Sequence, residues 1–242
     1  MIIFNGINLR SAYGIRVRNV RRDILPPREA QLVTVLGRHG AYLGKINRKP
    51  RVIECEIQVI GTLEERRALA RTLAEVLDTD DVKPLAFEDE PDKVYYAVLD
   101  GDTNLDEITV LGTTTLKFVV PDPYAHGNLI SQTLGPSPAN IIYNGTAESK
   151  PILTITMGGT AQNIAVACGP KSVTVNGNFQ AGDTIVIDCD KNKVTINGAT
   201  AMPAVSIGSR FFSLVKGDNI ITYSANTLAS MTVRIDYTER WK

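Results

Sequence analysis

The hydrophobic pattern changes period twice along this chain and changes style near residue 121. From Arg51 to Ile60 the residues alternate strictly, Ile53, Cys55, Ile57 and Val59 against Glu54, Glu56 and Gln58, the period of a strand with one buried face. Directly after it, Thr62-x-x-Glu65 has the form of a capping box. Leu69, Leu73, Val76 and Leu77 then recur at helical spacing, while Glu64, Arg67, Arg71 and Glu75 fall away from them. This predicts a helix that starts at Thr62, ends near Asp78 and packs one stripe on a sheet. Residues 85–87, 94–99 and 114–120 predict further strands, with Asp100-Gly101-Asp102 as a turn. Residues 4–20 predict an opening hairpin, with a short strand, a turn at Tyr13-Gly14 and a second strand over 15–18.

Residues 23–50 follow neither period. They open with Pro26-Pro27, pass through Leu32-Val33-Thr34-Val35-Leu36 and Gly37-Arg38-His39-Gly40, and close with Arg48-Lys49-Pro50. The stretch is too polar at its edges for core and too rich in β-formers at its centre for disorder, which predicts a projecting β-hairpin arm turning near Arg38, His39 and Gly40. Its candidate contact residues are Arg28, Leu32, Val35, Arg38, His39, Gly40, Tyr42, Leu43, Arg48 and Lys49.

Beyond Pro121-Asp122-Pro123-Tyr124 the style changes. Strand patterns over 152–155, 164–166, 173–175, 184–187, 193–196, 211–214, 219–223 and 232–235 alternate with Gly158-Gly159, Asn176-Gly177, Gly182-Asp183, Asn197-Gly198 and Gly217-Asp218. Such residues suit the positive φ of tight hairpins. The chain is thus expected to be mainly β: an N-terminal β-sandwich with one flanking α-helix and the arm, then a jelly-roll antiparallel β-sandwich. The expected domains are 1–126, with the arm at about 23–50, and 139–242. Residues 127–138 are expected to be a linker, with Pro121, Asp122, Pro123 and Tyr124 as the junction.

At 242 residues and 43% hydrophobic, the chain has enough apolar content for two modest cores. Its net charge of zero hides a split. Arg10 to Arg51 carries eleven basic residues against Asp23 and Glu29, whereas residues 54–107 carry sixteen acidic residues against five basic. Such a split fits a surface that meets copies of itself. The opening Met1-Ile2-Ile3-Phe4 is too short for a signal-peptide core, and no run approaches the roughly 20 apolar residues of a membrane helix. Cys55, Cys168 and Cys189 sit in apolar surroundings far apart and read as small core residues.

Chemistry is thin. Residues 100–107 space oxygen donors as calcium loops do, but Leu105 stands where the loop needs glycine and Leu111 where it needs the bidentate Glu, so the stretch reads as a solvated acidic turn. Glu88, Asp89, Glu90 and Asp92 read as exposed carboxylates of ordinary pKa. The only histidines, His39 and His126, lie in loop-like context, and there is no nucleophile elbow, phosphate loop or zinc pattern. No enzyme, cofactor or metal site is expected. Tyr42 is the only aromatic residue in the basic stretch 16–51, so stacking on single-stranded nucleic acid is not expected. A sugar site would want an exposed aromatic platform, yet the expected second domain, 139–242, has one Trp, Trp241, and no His.

The order of landmarks resembles the distal tail protein (Dit) family of long-tailed, non-contractile bacteriophages. The similar features are Phe4-Asn5-Gly6 with Tyr13-Gly14-Ile15, Gly37-Arg38-x-Gly40, Pro121-Asp122-Pro123-Tyr124, Asn144-Gly145-Thr146 and Lys150-Pro151-Ile152. They continue with Gly182-Asp183-x-Ile185-x-Ile187-Asp188, Leu214-x-x-Gly217-x-Asn219 and Tyr237-x-x-Arg240-Trp241. The resemblance implies a tail-tube-like first domain forming a hexameric ring, the arm belting a neighbour, and a galectin-like second domain. It implies a structural protein of the virion tail tip, assembled in the bacterial host cytoplasm, that joins the tail tube to tip or baseplate proteins. Its implied partners are a tail-tube protein, a tail-associated (Tal-like) tip protein and receptor-binding proteins. DNA would pass through the lumen without specific binding, and nothing would insert in a membrane. The family offers no catalytic residues, and the His and mid-domain Trp of a galectin sugar site have no counterpart here. The competing reading is a carbohydrate-binding or adhesive β-sandwich.

Overall fold

Strict alternation produces strands in this molecule, and helix appears where alternation breaks. The computed structural model describes residues 1–101, 106–108, 111–227 and 230–242, with 106–108 and 111 described by their backbone alone. Of the acidic turn expected at 100–107, residues 102–105 lie outside the described residues, and Asp106 and Glu107 belong to a short strand. The chain separates into two compact units, Met1–His126 with Lys242, and Gly127–Trp241.

The first unit contains, in order, β1 (Ile2–Phe4), β2 (Ile7–Asn8), α1 (Leu9–Tyr13), β3 (Arg16–Arg22), β4 (Arg28–Val33), β5 (Tyr42–Arg48), β6 (Arg51–Ile60), α2 (Leu63–Leu77), β7 (Lys83–Phe87), β8 (Glu90–Leu99), β9 (Asp106–Ile108) and β10 (Leu111–Val120). β6 pairs with β10 along its whole length, from Ile60 opposite Leu111 to Arg51 opposite Val120, and with β3 on its other side. β8 changes partner midway. Its first part pairs with β7, which pairs with β1, and its last residues Val98 and Leu99 pair with β10. This turns the sheet back over itself and closes a core of Phe4, Ile53, Cys55, Ile57, Leu85, Phe87, Leu116 and Phe118. The rings of Phe4 and Phe118 lie 5.3 Å apart within it.

The capping box forms as the sequence predicts. Thr62 Oγ1 accepts from the Glu65 backbone N–H at 3.3 Å, and the Glu65 carboxylate accepts from the Thr62 N–H at 2.8 Å. Of the predicted stripe, however, Leu73 and Leu77 are buried while Leu69 and Val76 are only half-buried, and Arg66 is buried with them. The opening hairpin is also different. β1 turns at Asn5-Gly6 into β2, and the next residues form α1, capped by Asn8 and ended by Gly14 at φ +67°. A five-residue helix shows no period in sequence, so the capping side chain was its only signal. β3 pairs with β6 rather than with the first strand.

The second unit follows through β11 (Ala125–Thr133), β12 (Ala139–Tyr143), β13 (Ile152–Met157), β14 (Ala161–Cys168), β15 (Lys171–Phe179), β16 (Thr184–Asp188), β17 (Lys193–Ile196), β18 (Ala199–Thr200), β19 (Gly217–Ala225) and β20 (Met231–Trp241). One sheet runs β12-β19-β14-β15, and the facing one contains β17-β16-β13-β20 in order. Inward residues of both meet in one core, among them Leu153, Ile155, Ile164, Val166, Val173, Val175, Ile185, Ile187, Ile221, Val233 and Ile235. Two expectations change. Residues 127–133 of the expected linker are strand, with polar residues such as Asn128, Ser131 and Gln132 hiding the pattern. Residues 211–214 form no strand; Leu214 makes only an isolated bridge to Ser149, although Phe212 and Leu214 remain buried.

Tyr143 ties the ends of this unit. Its buried hydroxyl donates to the Ala147 carbonyl at 2.7 Å and accepts from the Arg240 N–H at 2.9 Å, and its ring occupies the space a side chain at Gly145 would need. Tyr143→Phe should leave that N–H without its acceptor and destabilise the second unit by about 1–3 kcal/mol, read from urea unfolding. Burial pushes the Cys55 thiol from 9.0 up to about 12 and the Cys189 thiol up to about 11. An unfolded chain loses these protons from pH 9 upward while the folded chain keeps them, so stability is complete below pH 9 and falls as pH rises through 11 and 12. Urea midpoints under reducing conditions should decline over this window, by at most about 1.4 kcal/mol per pH unit for each thiol. Cys55→Ala should remove its share of the slope.

Candidate functional site

The arm forms, and among the described residues no strand or helix covers β4 and β5. β4 and β5 pair only with each other, and every residue of β4 is exposed. The register sets Ala30 opposite Ile46 and Leu32 opposite Leu43 on one face, with Arg28 and Arg48, and Val33 opposite Tyr42 on the other, with Glu29 and Asn47. The extra residue lies in β5, where Lys45 and Gly44 together oppose Gln31, and an added Cβ on Gly44 would meet the Gln31 carbonyl oxygen at 3.2 Å. Both faces therefore carry apolar side chains near the tip. Leu32, Val33, Val35, Tyr42, Leu43 and Ile46 are about half exposed or more, and Leu36 is fully exposed. Gly37 and Gly40 take positive φ in the turn, as the sequence predicts, and His39 between them is exposed.

Its root is held by polar contacts. The Lys49 N–H donates to the Pro27 carbonyl at 2.8 Å, and the Lys49 ammonium pairs with Glu29 at 3.1 Å. Arg48 lies over the Tyr124 ring at 5.7 Å, and Arg38 at the tip over Tyr42 at 4.4 Å. Asp122 receives His126 Nε2 at 3.0 Å. Arg51, the first residue of β6, is 2% exposed; its guanidinium lies 5.8 Å from the Tyr95 ring centroid.

The charge split is partly used inside the chain. Arg22 binds Asp89 and, at 3.0 Å, Glu90, which also takes Lys93 at 2.8 Å; Arg21 approaches Glu54 at 3.7 Å; Glu88 holds the terminal ammonium at 3.2 Å. These carboxylates are ion-paired rather than merely solvated. Among the described residues, no ion pair engages Arg28, Arg38 or Lys45 on the arm, or Glu75, Asp78, Asp80 or Asp81 at the end of α2.

Other landmarks are structural. The Asn219 side chain accepts from the Val215 N–H at 2.9 Å and donates to the carbonyls of Val215 at 2.8 Å and Gly217 at 2.9 Å, latching that loop. Asp183 accepts from the Asn197 amide at 2.8 Å and the Gln180 N–H at 2.7 Å, which holds its carboxyl below the usual range. Trp241 packs on Gly127, where a Cβ would meet the ring at 2.8 Å. An amide-lined recess of about 510 Å³ near Gln162, Gln180 and Asn226 has Phe179 as its aromatic residue, and that ring is buried. The three cysteines are unpaired, and no group of metal-binding side chains occurs among the described residues. No described helix is long and apolar enough to cross a membrane.

The comparisons match a chain of this arrangement, a β-sandwich with a flanking helix and a hairpin followed in sequence by a second sandwich, to phage tail components. Residues 11–120 match the phage tail protein RIFT-related domain, and residues 144–241 match the siphovirus-type tail component, C-terminal domain. The distal tail protein of Bacillus phage SPP1 is 28% identical over 215 residues, covering 86% of this chain and 83% of that protein. The crystal structure of SPP1 Dit, described as a hub of the adsorption apparatus in phages infecting Gram-positive bacteria, aligns over 100% of this chain and 98% of that one, with TM-score 0.85 and 20% identity. The chain belongs to the distal tail protein family and is a siphophage tail protein.

Proposed function

We propose that this chain closes a ring of six copies that joins the tail tube to the tail-tip proteins, with each arm belting the adjacent copy. The observation that carries this reading is the arm's apolar surface. A two-stranded hairpin is at best marginally stable alone, and one with apolar residues on both faces gains most from a second chain. A copy that offers its arm to a different surface of its neighbour makes a heterologous contact, and such contacts form a ring when the rotation from copy to copy closes. On this reading the bore passes DNA without reading its sequence, and the second unit serves as a mount for tip or receptor-binding proteins. The neighbours are then a tail-tube protein above and a tail-associated protein below, with assembly in the host cytoplasm. The role is structural and needs no catalytic group.

Light scattering tests this. The whole chain should run as a closed oligomer, and a variant with residues 24–49 replaced by a short linker should run as a folded monomer by circular dichroism. Leu43→Ala should weaken association by roughly ten- to a hundredfold, the effect of losing up to about 1.5–3 kcal/mol of leucine burial. An arm-deleted chain that remains oligomeric contradicts the belt.

A further inference from the structure

The surface of the first unit contains one feature that its own core does not explain. A cleft of about 390 Å³ opens between α2 and the sheet, with Val59, Leu69, Leu73, Leu77, Leu99 and Leu116 in its walls. This falls in the size range of ligand-binding sites, about 300–1,000 Å³. Ala70 and Ala74 stand exposed at its edge, while Leu73 and Leu77 of the same helix are buried against the sheet.

The end of this helix carries an uncompensated charge. α2 has no basic residue in its last turn, and Glu75, Asp78, Asp80 and Asp81 follow one another at its C-terminus. The carbonyl end of a helix is itself negative and favours cations, so these carboxylates add to a field of their own sign. Asp78 lies at the cleft wall. Arg66, the cation in the same wall, is twelve residues earlier, about 18 Å along the helix axis.

The arm tip has the complementary chemistry. Leu36 is fully exposed, and Gly37 at φ +79° separates it from Arg38. The Arg38 N–H donates to the Val35 carbonyl at 3.2 Å, which fixes the turn that presents Leu36 and Arg38 together. Between Arg28 and Lys49 the arm carries five Lys or Arg residues against Glu29.

We infer that the cleft under α2 is the seat of a second copy's arm tip, with Leu36 entering beside Leu69 and Leu73 and Arg38 meeting Asp78 at the helix end. The inference rests on the ring reading and names the surface that reading requires. It gives the arm an acceptor of opposite charge, supplies the cation that the α2 terminus lacks, and makes the contact heterologous.

Two variants test it on the full-length chain. Leu36→Cys combined with Ala70→Cys should give a ladder of covalent oligomers on mild oxidation that neither single variant gives. Asp78→Lys should weaken association at least tenfold by light scattering, although a cation at that position suits the helix itself, and Arg38→Glu in the same chain should restore it. An oligomer of unchanged mass that gives no ladder overturns the inference. So does a ladder formed by Leu36→Cys with Arg18→Cys on the open edge of β3. Both results leave the belt in place. A monomeric wild-type chain, or an oligomer that survives arm deletion, removes the belt and this seat with it.

Discussion

A two-stranded hairpin pairs its inner backbone groups but covers neither of its faces, and this constraint sets the arm apart from everything else in the chain. The other long strands have a layer to pack on. β6 buries Ile53, Cys55 and Ile57 completely, and β13 buries Leu153 and Ile155. β4 and β5 have no such layer, although they carry Leu32, Val33, Leu43 and Ile46. Apolar surface left in water is a standing loss of free energy, and a patch of this kind on a projecting element marks an interaction site. The proposed belt follows from where these residues are, independent of any catalytic or binding constellation.

Charge adds direction to this. The sequence shows a basic stretch before residue 51 and an acidic one after it, but the folded chain cancels part of both: Arg22 is consumed by Asp89 and Glu90, and Arg51 is withdrawn into the core. What remains is narrower than the composition implied, with Arg28, Arg38 and Lys45 on the arm and the carboxylates at the end of α2. Exposed pairs contribute about 0–1 kcal/mol each, so these charges select a partner surface while apolar burial supplies the affinity.

The mainly β class, the long alternating strand at 51–60, the capped helix and the hairpin turn at Gly37 and Gly40 were legible because each rests on local chemistry. What escaped was set by distant packing. α1 is too short to show a period, β11 is disguised by its polar residues, and the pattern at 211–214 is buried without being paired. Arg66 falls on the same helical stripe as Leu73 and Leu77, so its spacing could have marked it, but a cation on an apolar stripe gains meaning only once the cleft beside it is seen. Arg51 illustrates the limit from the other side: by strand parity it shares the inward face of Ile53 and Cys55, a signal outweighed by the basic residues before it.

Hydrogen exchange measured at several protein concentrations tests the central claim most directly, because it reads the arm's own backbone. If a second copy covers the arm, the amides of residues 28–33 and 42–48 should exchange slowly in concentrated solution and faster on dilution, while those of β6 and β13 stay protected throughout. Arm amides that exchange at one rate across the whole concentration range, while the oligomer itself forms and dissociates over that range, would contradict it.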